Sequence, residues 1–195
     1  MTDYDIYFRY LRQRKRVGLW YRNVWLYPRL CRHLRGRVLD VGCGIGDMVR
    51  FRRNTVGVDV NPQAVDFCRN QGLDVRLMRP GHLPFPDRTF DGAVLDNVLE
   101  HLEEPLALLA EIHRVLTASG TLIVGVPGER GYASDPDHKR HYPERQLIDC
   151  LRAAGFGARY VFHQPLRSAL LDRYFQYYAI YGVFRSLTPE IGMRG

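Results

Sequence analysis

A chain of 195 residues, at roughly 100–200 residues per domain, makes one domain. Its 46% hydrophobic and 25% charged residues are ordinary globular usage, which excludes wholesale disorder, and no stretch reaches the roughly 18 uncharged apolar residues of a membrane span. Lys plus Arg (28) less Asp plus Glu (21) leaves +7, almost all of it arginine; that excess suits nucleic acid, an anionic membrane surface or a phosphorylated substrate, or is merely compositional.

The opening MTDYDIYFRYLRQRKR has no apolar core behind a basic start, so a secretory signal is not expected and a cytoplasmic location is. Aromatic and basic residues alternate over the first 35 positions and predict one or two helices ending near Gly36, a helical cap over residues 1–36. A Rossmann-like core over 37–163 follows. RVLDV (37–41), TVGVDV (55–60), LDVRLM (73–78), FDGAVLD (90–96) and GTLIVGVP (120–127) read as strands. Asn61-Pro62 opens a helix after the second strand. A second helix over Pro105–Thr117 carries Leu106, Leu109, Ala110, His113 and Leu116 on one face. Apolar strands alternating with helices predict a doubly wound α/β sheet, mostly parallel, with helices on both faces. A polar loop (128–142), a helix from Pro143 to Ala154 and a strand RYVFH (159–163) come next. In the aromatic tail (164–195), Leu166, Leu170, Tyr174, Tyr177, Tyr181 and Phe184 fall at helical spacing, so a helix is expected there despite the strand composition of YYAIYGVF.

The four cysteines, Cys31, Cys43, Cys68 and Cys150, are scattered, and no residue spacing suggests a metal site or a disulfide framework. The informative segment is VLDVGCGIGD. A strand delivers the chain to Gly42, Gly44 and Gly46, where missing side chains permit a tight turn and close backbone approach to a ligand. The dinucleotide fingerprint would need its third glycine at position 47, which is Asp47, and Asp40 sits poorly beside a pyrophosphate. A ligand with a cationic portion fits better.

VLDVGCGIGD resembles motif I of the class I S-adenosylmethionine-dependent methyltransferases. VGVDVNPQAVDFCR, LPFPDRTFDGAVLDNVLEHLEEP and RVLTASGTLIVGVP resemble the segments that follow it, and DHKRHYPERQLIDCLRAAGF resembles a pattern of the ubiquinone-methyltransferase-like (type 11) branch. The resemblance covers residues 37–156 in order. It implies S-adenosyl-L-methionine as cofactor, with Asp40 near its ammonium, Gly42, Gly44 and Gly46 beneath its methionine part and Asp59 on the ribose hydroxyls. Asp96 is placed beside the cofactor, Asn97 at the acceptor, and His101 as the base if the acceptor is a hydroxyl. His138, His141 and Tyr142, in the loop where such folds hang substrate contacts, are candidate acceptor residues.

One departure stands out. Where the family has an acidic residue and then a free N–H for adenine, this chain has Arg79 and Pro80, which can neither accept nor donate those bonds. Either Gly81 and His82 take over or the adenine pocket is rebuilt. The resemblance thus implies a methyltransferase acting on a small molecule or a lipid- or nucleotide-linked glycan. The alternatives are a degenerate binding or regulatory subunit and, more weakly, an RNA methyltransferase; nucleic acid is the lesser expectation for a partner because no RNA-binding motif accompanies the arginines. The aromatic ends are expected first of all simply to cover the sheet; the alternatives are a cap on the acceptor pocket, a dimer face or peripheral contact with an anionic membrane.

Overall fold

A computed structural model describes residues 3–12 and 16–187; Arg14, Lys15 and the end of the tail from 188 lie outside it. Strands β1 (Val38–Val41), β2 (Thr55–Asp59), β3 (Val75–Leu77), β4 (Phe90–Asp96) and β5 (Leu116–Pro127) pair in parallel, and β6 (Phe156–Gln164) and β7 (Ala179–Ser186) complete one sheet in the order β3-β2-β1-β4-β5-β7-β6. β7 runs antiparallel to both of its neighbours, β5 and β6. The carboxyl ends of β1, β2, β4 and β5 therefore open on one rim, where ligands bind in doubly wound folds.

The sheet is buried on both faces, which is why its strands read as continuous apolar runs rather than alternating ones. On one face α2 (Arg16–Tyr21), a π-helical turn (Arg22–Leu26) and α3 (Tyr27–Cys31) form a helical cap. It sets Leu26, Tyr27, Leu30 and Leu34 against Val38, Val94, Ile123, Phe162 and Tyr181. On the other face α6 (Pro105–Val115) and α8 (Glu144–Ala153) contribute Leu108, Leu109, Ile112, Leu147 and Leu151 to the main core. The buried stripe of α6 is rotated from the expected one: Leu106 is exposed, while Leu108, Ile112 and Val115 face the sheet. Pro62 at the first turn and the Asn61 side chain, which accepts from the Gln63 and Ala64 N–H groups, start α5 (Pro62–Arg69) where the sequence predicts.

The tail departs from expectation. Instead of continuing as helix it forms the short α9 (Ala169–Tyr174), then turns back as β7 between β5 and β6. Ile180 to Phe184 are all buried, so no alternation betrays the strand, and its partner β5 lies far back in the chain. A register shift between Ala158 and Tyr160 also carries β6 back to Phe156, earlier than RYVFH suggests.

Candidate active site

The carboxyl end of β1 runs into the glycine turn. Gly42, Gly44 and Gly46 all have positive φ (72°, 53° and 78°), a backbone that side chains rarely adopt. A Cβ on Gly42 would lie 2.4 Å from Val98 Cγ2, and one on Gly44 would press on Leu11. Leu11 belongs to α1 (Asp3–Arg12), is fully buried, and so closes one side of the turn. Phe8 meets Phe67 edge-on and Asp5 bonds Gln63, which fastens α1 to α5.

Asp59, at the carboxyl end of β2, accepts from the N–H of Gly44 and of Asn61, both at 2.8 Å. It ties the glycine turn to the start of α5; with the Val60 N–H as a third donor, one lone-pair site is left for a ribose hydroxyl. Burial pushes its carboxyl up, against the pull of these N–H bonds. Asp40 is buried as well. Its carboxyl is pushed up to about 8 by desolvation first and then by the negative charges of Asp96, Asp59 and Asp47, with Arg22 opposing. A buried carboxylate among acids is costly unless a cation joins it. The ammonium of S-adenosylmethionine would supply that charge, so these residues fit the cofactor the sequence implies.

The carboxyl end of β4 is organised by a residue that sequence reasoning missed. Arg22, on the π turn, reaches Asp96 Oδ2 at 3.3 Å and the Tyr27 hydroxyl at 3.3 Å. Burial disfavours this cation, but Asp96, Tyr27 and Tyr181 more than offset that and hold it above its ordinary value. The Tyr181 hydroxyl and the Asn97 amide donate to Asp96 Oδ1 at 2.9 and 3.1 Å. Asp96 is thus engaged on both oxygens, a joint between the helical cap, β4 and β7 at the cofactor rim rather than a free cofactor ligand. Gly125 makes the joint possible, because a Cβ there would collide with both Tyr181 and Asp96. Asn97 has φ 55° and donates its N–H to the Gly125 carbonyl, which turns the chain sharply off β4.

After β3, Arg79 and His82 close a tight turn with Gly81 at φ 71°. The His82 N–H donates to the Arg79 carbonyl, and its exposed ring lies 3.1 Å from Glu111 on α6. Both its N–H and its ring are thus engaged within this turn and on α6, so His82 serves to hold the turn on α6. Arg114 anchors the next residues by donating to the carbonyls of Leu83 and Phe85, and its bonds to Glu111 hold that carboxyl down to about 2.

Leu99–His101 form a short 3₁₀ turn beyond β4. There His101 meets His138 edge-on at 4.7 Å between ring centres. Burial first, and then the His138 charge, lower the His101 pKa and favour its neutral, proton-accepting form. The N–H groups of Lys139 and Arg140 donate to the Glu100 carbonyl, which latches the 128–142 loop onto this turn. His141 packs against Tyr132 of the short α7 (Glu129–Tyr132) with its Nε2 buried and without a hydrogen-bond partner. Tyr142 is a correction: it is 1% exposed in the main core, against Cys150 and Arg140, and anchors the loop instead of facing an acceptor.

Comparison with known proteins agrees with this geometry. The family described as a methyltransferase domain matches residues 39–124. A Methanocaldococcus jannaschii protein without assigned activity is 33% identical over 65% of this chain and 68% of its own. A probable S-adenosylmethionine-dependent methyltransferase of Mycolicibacterium smegmatis is 31% identical over 71% of this chain and 62% of its own, so the chain spans somewhat less than two thirds of that relative. In fold it is similar to a chain of the complex between the Haloferax volcanii Trm112 methyltransferase activator and a methyltransferase, with TM-score 0.74, 18% identity and coverage of 95% and 98%. A Thermotoga maritima S-adenosylmethionine-dependent methyltransferase has TM-score 0.69 at 21% identity, over 92% and 99%. With the glycine turn, the two acids beside it and the sheet order all in agreement, the chain belongs to the class I S-adenosylmethionine-dependent methyltransferases.

Proposed function

We propose that the chain methylates an acceptor that carries negative charge, a small molecule or a lipid- or nucleotide-linked glycan. The observation that carries this reading is a cavity of about 390 Å³ between α7 and α9, lined by Arg130, Arg173 and Tyr174, with Glu129 as the one acid in the lining. It adjoins the loop that follows β5, on the ligand rim of the sheet. Guanidinium pairs suit phosphate or carboxylate, and a tyrosine face suits a sugar or base.

S-adenosylmethionine supplies a methyl group already activated on a positively charged sulfur. The protein's task is therefore alignment and exclusion of water. Asp40 holds the ammonium, Asp59 the ribose, and Leu11 shields the glycine turn from solvent. His101, neutral at physiological pH, takes the proton of an acceptor hydroxyl, and His138 and Asn97 frame the acceptor beside it. Exposed Leu166, Leu170, Tyr174 and Tyr177 border the same rim and favour peripheral contact with a membrane that presents such an acceptor. A demethylmenaquinone methyltransferase of Tropheryma whipplei, 34% identical over 45% of this chain and 40% of its own, makes a quinone the second reading.

The test is an acceptor screen that follows S-adenosylhomocysteine release. Turnover on anionic glycans, with a KM that rises at least about 10-fold in Arg130→Gln/Arg173→Gln at little change in kcat, supports the reading, because binding made equally in ground and transition states appears in KM. Turnover on neutral phenols or quinones alone overturns it.

A further inference from the structure

We infer that Glu100, His101 and His138 form a binding site for a divalent transition-metal ion of the zinc class, with Asp135 as a fourth ligand. One ligand atom from each of the first three lies within 4.8 Å of the other two. His138 Nε2 is 3.8 Å from Glu100 Oε1 and 3.9 Å from Asp135 Oδ2. Ligands around a tetrahedral zinc stand roughly 3.3–3.5 Å apart, so the His138 pairs need about half an ångström of closure, and the widest pair of the three up to about 1.5 Å, to meet on an ion.

Two further observations point to a cation. Glu100 is 1% exposed, and neither of its carboxylate oxygens has a hydrogen-bond partner on another residue. A buried carboxyl to which no other residue donates, with only its own backbone N–H nearby, is rare inside a protein, and a metal ion is one of the few occupants that satisfies it. The histidines are also oriented as ligands. His138 Nδ1 lies 2.8 Å from the Tyr132 carbonyl, which fixes the proton on Nδ1 and turns the Nε2 lone pair toward Glu100. His101 likewise bonds the Asp137 backbone through one ring nitrogen. Metal-binding histidines characteristically donate their second N–H to a carbonyl or carboxylate in this way.

Two imidazoles with one or two carboxylates suit zinc and its neighbours, whereas magnesium and calcium call for oxygen alone. Such an ion would pin Asp135 and His138 of the loop to the turn beyond β4, beside the cofactor rim. It would occupy the His101 lone pair, so ion binding and proton acceptance by His101 exclude each other. The site rests on side-chain geometry; with a hydroxyl acceptor, the ion-bound chain is the form in which His101 does not act as base.

The experiment is calorimetric titration of chelator-treated protein with Zn²⁺, alongside metal analysis of the protein as purified. One ion per chain is expected, with affinity weakened at least about 100-fold in Glu100→Gln and in His138→Gln while each variant still unfolds in a cooperative thermal transition. Absence of a saturable site in the wild type overturns the inference by itself. So does a site of unchanged affinity in both folded variants; Glu100 is then a protonated acid without a ligand role.

Discussion

Arg22→Met tests the joint at the end of β4. The substitution keeps most of the side-chain volume and removes the cation that faces Asp96 at 3.3 Å, where side-chain exposures are 23% and 10%. At that distance and an effective dielectric of about 20 the attraction is about 5 kcal/mol. Desolvation already paid by both ions cancels much of this in the native protein, but the variant keeps the cost of burying Asp96 and loses the return. Asp40 is left without its opposing charge as well. The expected loss is about 3–5 kcal/mol, the range for orphaning a buried charge. Urea unfolding at pH 7.5, followed by far-UV circular dichroism, measures it as a lower midpoint at unchanged m. Arg22→Met/Asp96→Asn should recover at least half of the loss, since the orphaned charge is then gone too. A single-variant loss below about 1 kcal/mol would refute the reasoning, because it would mean that solvent screens the pair as it does at a surface.

Two further outcomes follow from the glycine turn and the acids beside it. Gly42→Ala meets both a positive φ of 72° and a 2.4 Å overlap with Val98, so it should lose at least about 1–2 kcal/mol from backbone strain alone. Adding Val98→Ala should relieve the overlap but not the strain, so chemical denaturation should show partial rescue. The Asp40 carboxyl, raised to about 8 when folded, binds its proton more tightly than the unfolded chain does. Ligand-free stability from this group is therefore greatest in acid and falls as pH rises from the ordinary carboxylate range through about 8. Urea midpoints at a series of pH values should show that decline, and Asp40→Asn should flatten it. Pairing with the cofactor ammonium needs the ionised form, so S-adenosylhomocysteine should bind more tightly at pH 8 than at pH 6.

The parts of the fold legible in the sequence are those set by local signals. Asn61-Pro62 marks a helix start because cap and fixed φ act within a few residues, and strands ending at Asp40-Val41 and Asp59 are continuous apolar runs. Gly42, Gly44 and Gly46 announce their turn because positive φ leaves few other residues. What sequence reading missed depends on distant partners. β7 hides in a helical spacing of aromatics because Tyr181 and Phe184 are buried by β5 and β6, not by their own neighbours. Arg22 looks like one more member of a basic, aromatic segment until the helical cap folds it onto Asp96. Glu100 and His138 come from opposite sides of β5, and nothing in their spacing shows that the 128–142 loop returns across the end of β4. Tyr142 has the composition of a ligand contact, but the turn into α8 carries it into the core.

The claim on which everything else depends is that the glycine turn and Asp59 hold S-adenosylmethionine despite Arg79 and Pro80. The direct measurement is a thermal titration with S-adenosylhomocysteine on the wild type and on Asp59→Asn, which keeps an acceptor oxygen for the turn but loses the charge. At ligand about 100 times its dissociation constant, binding should add about 2.7 kcal/mol, or roughly 5–10 °C for a domain of this size. The account predicts that shift in the wild type and at most half of it in Asp59→Asn at the same concentration. No shift in the wild type at millimolar ligand, or an equal shift in both proteins, would contradict it.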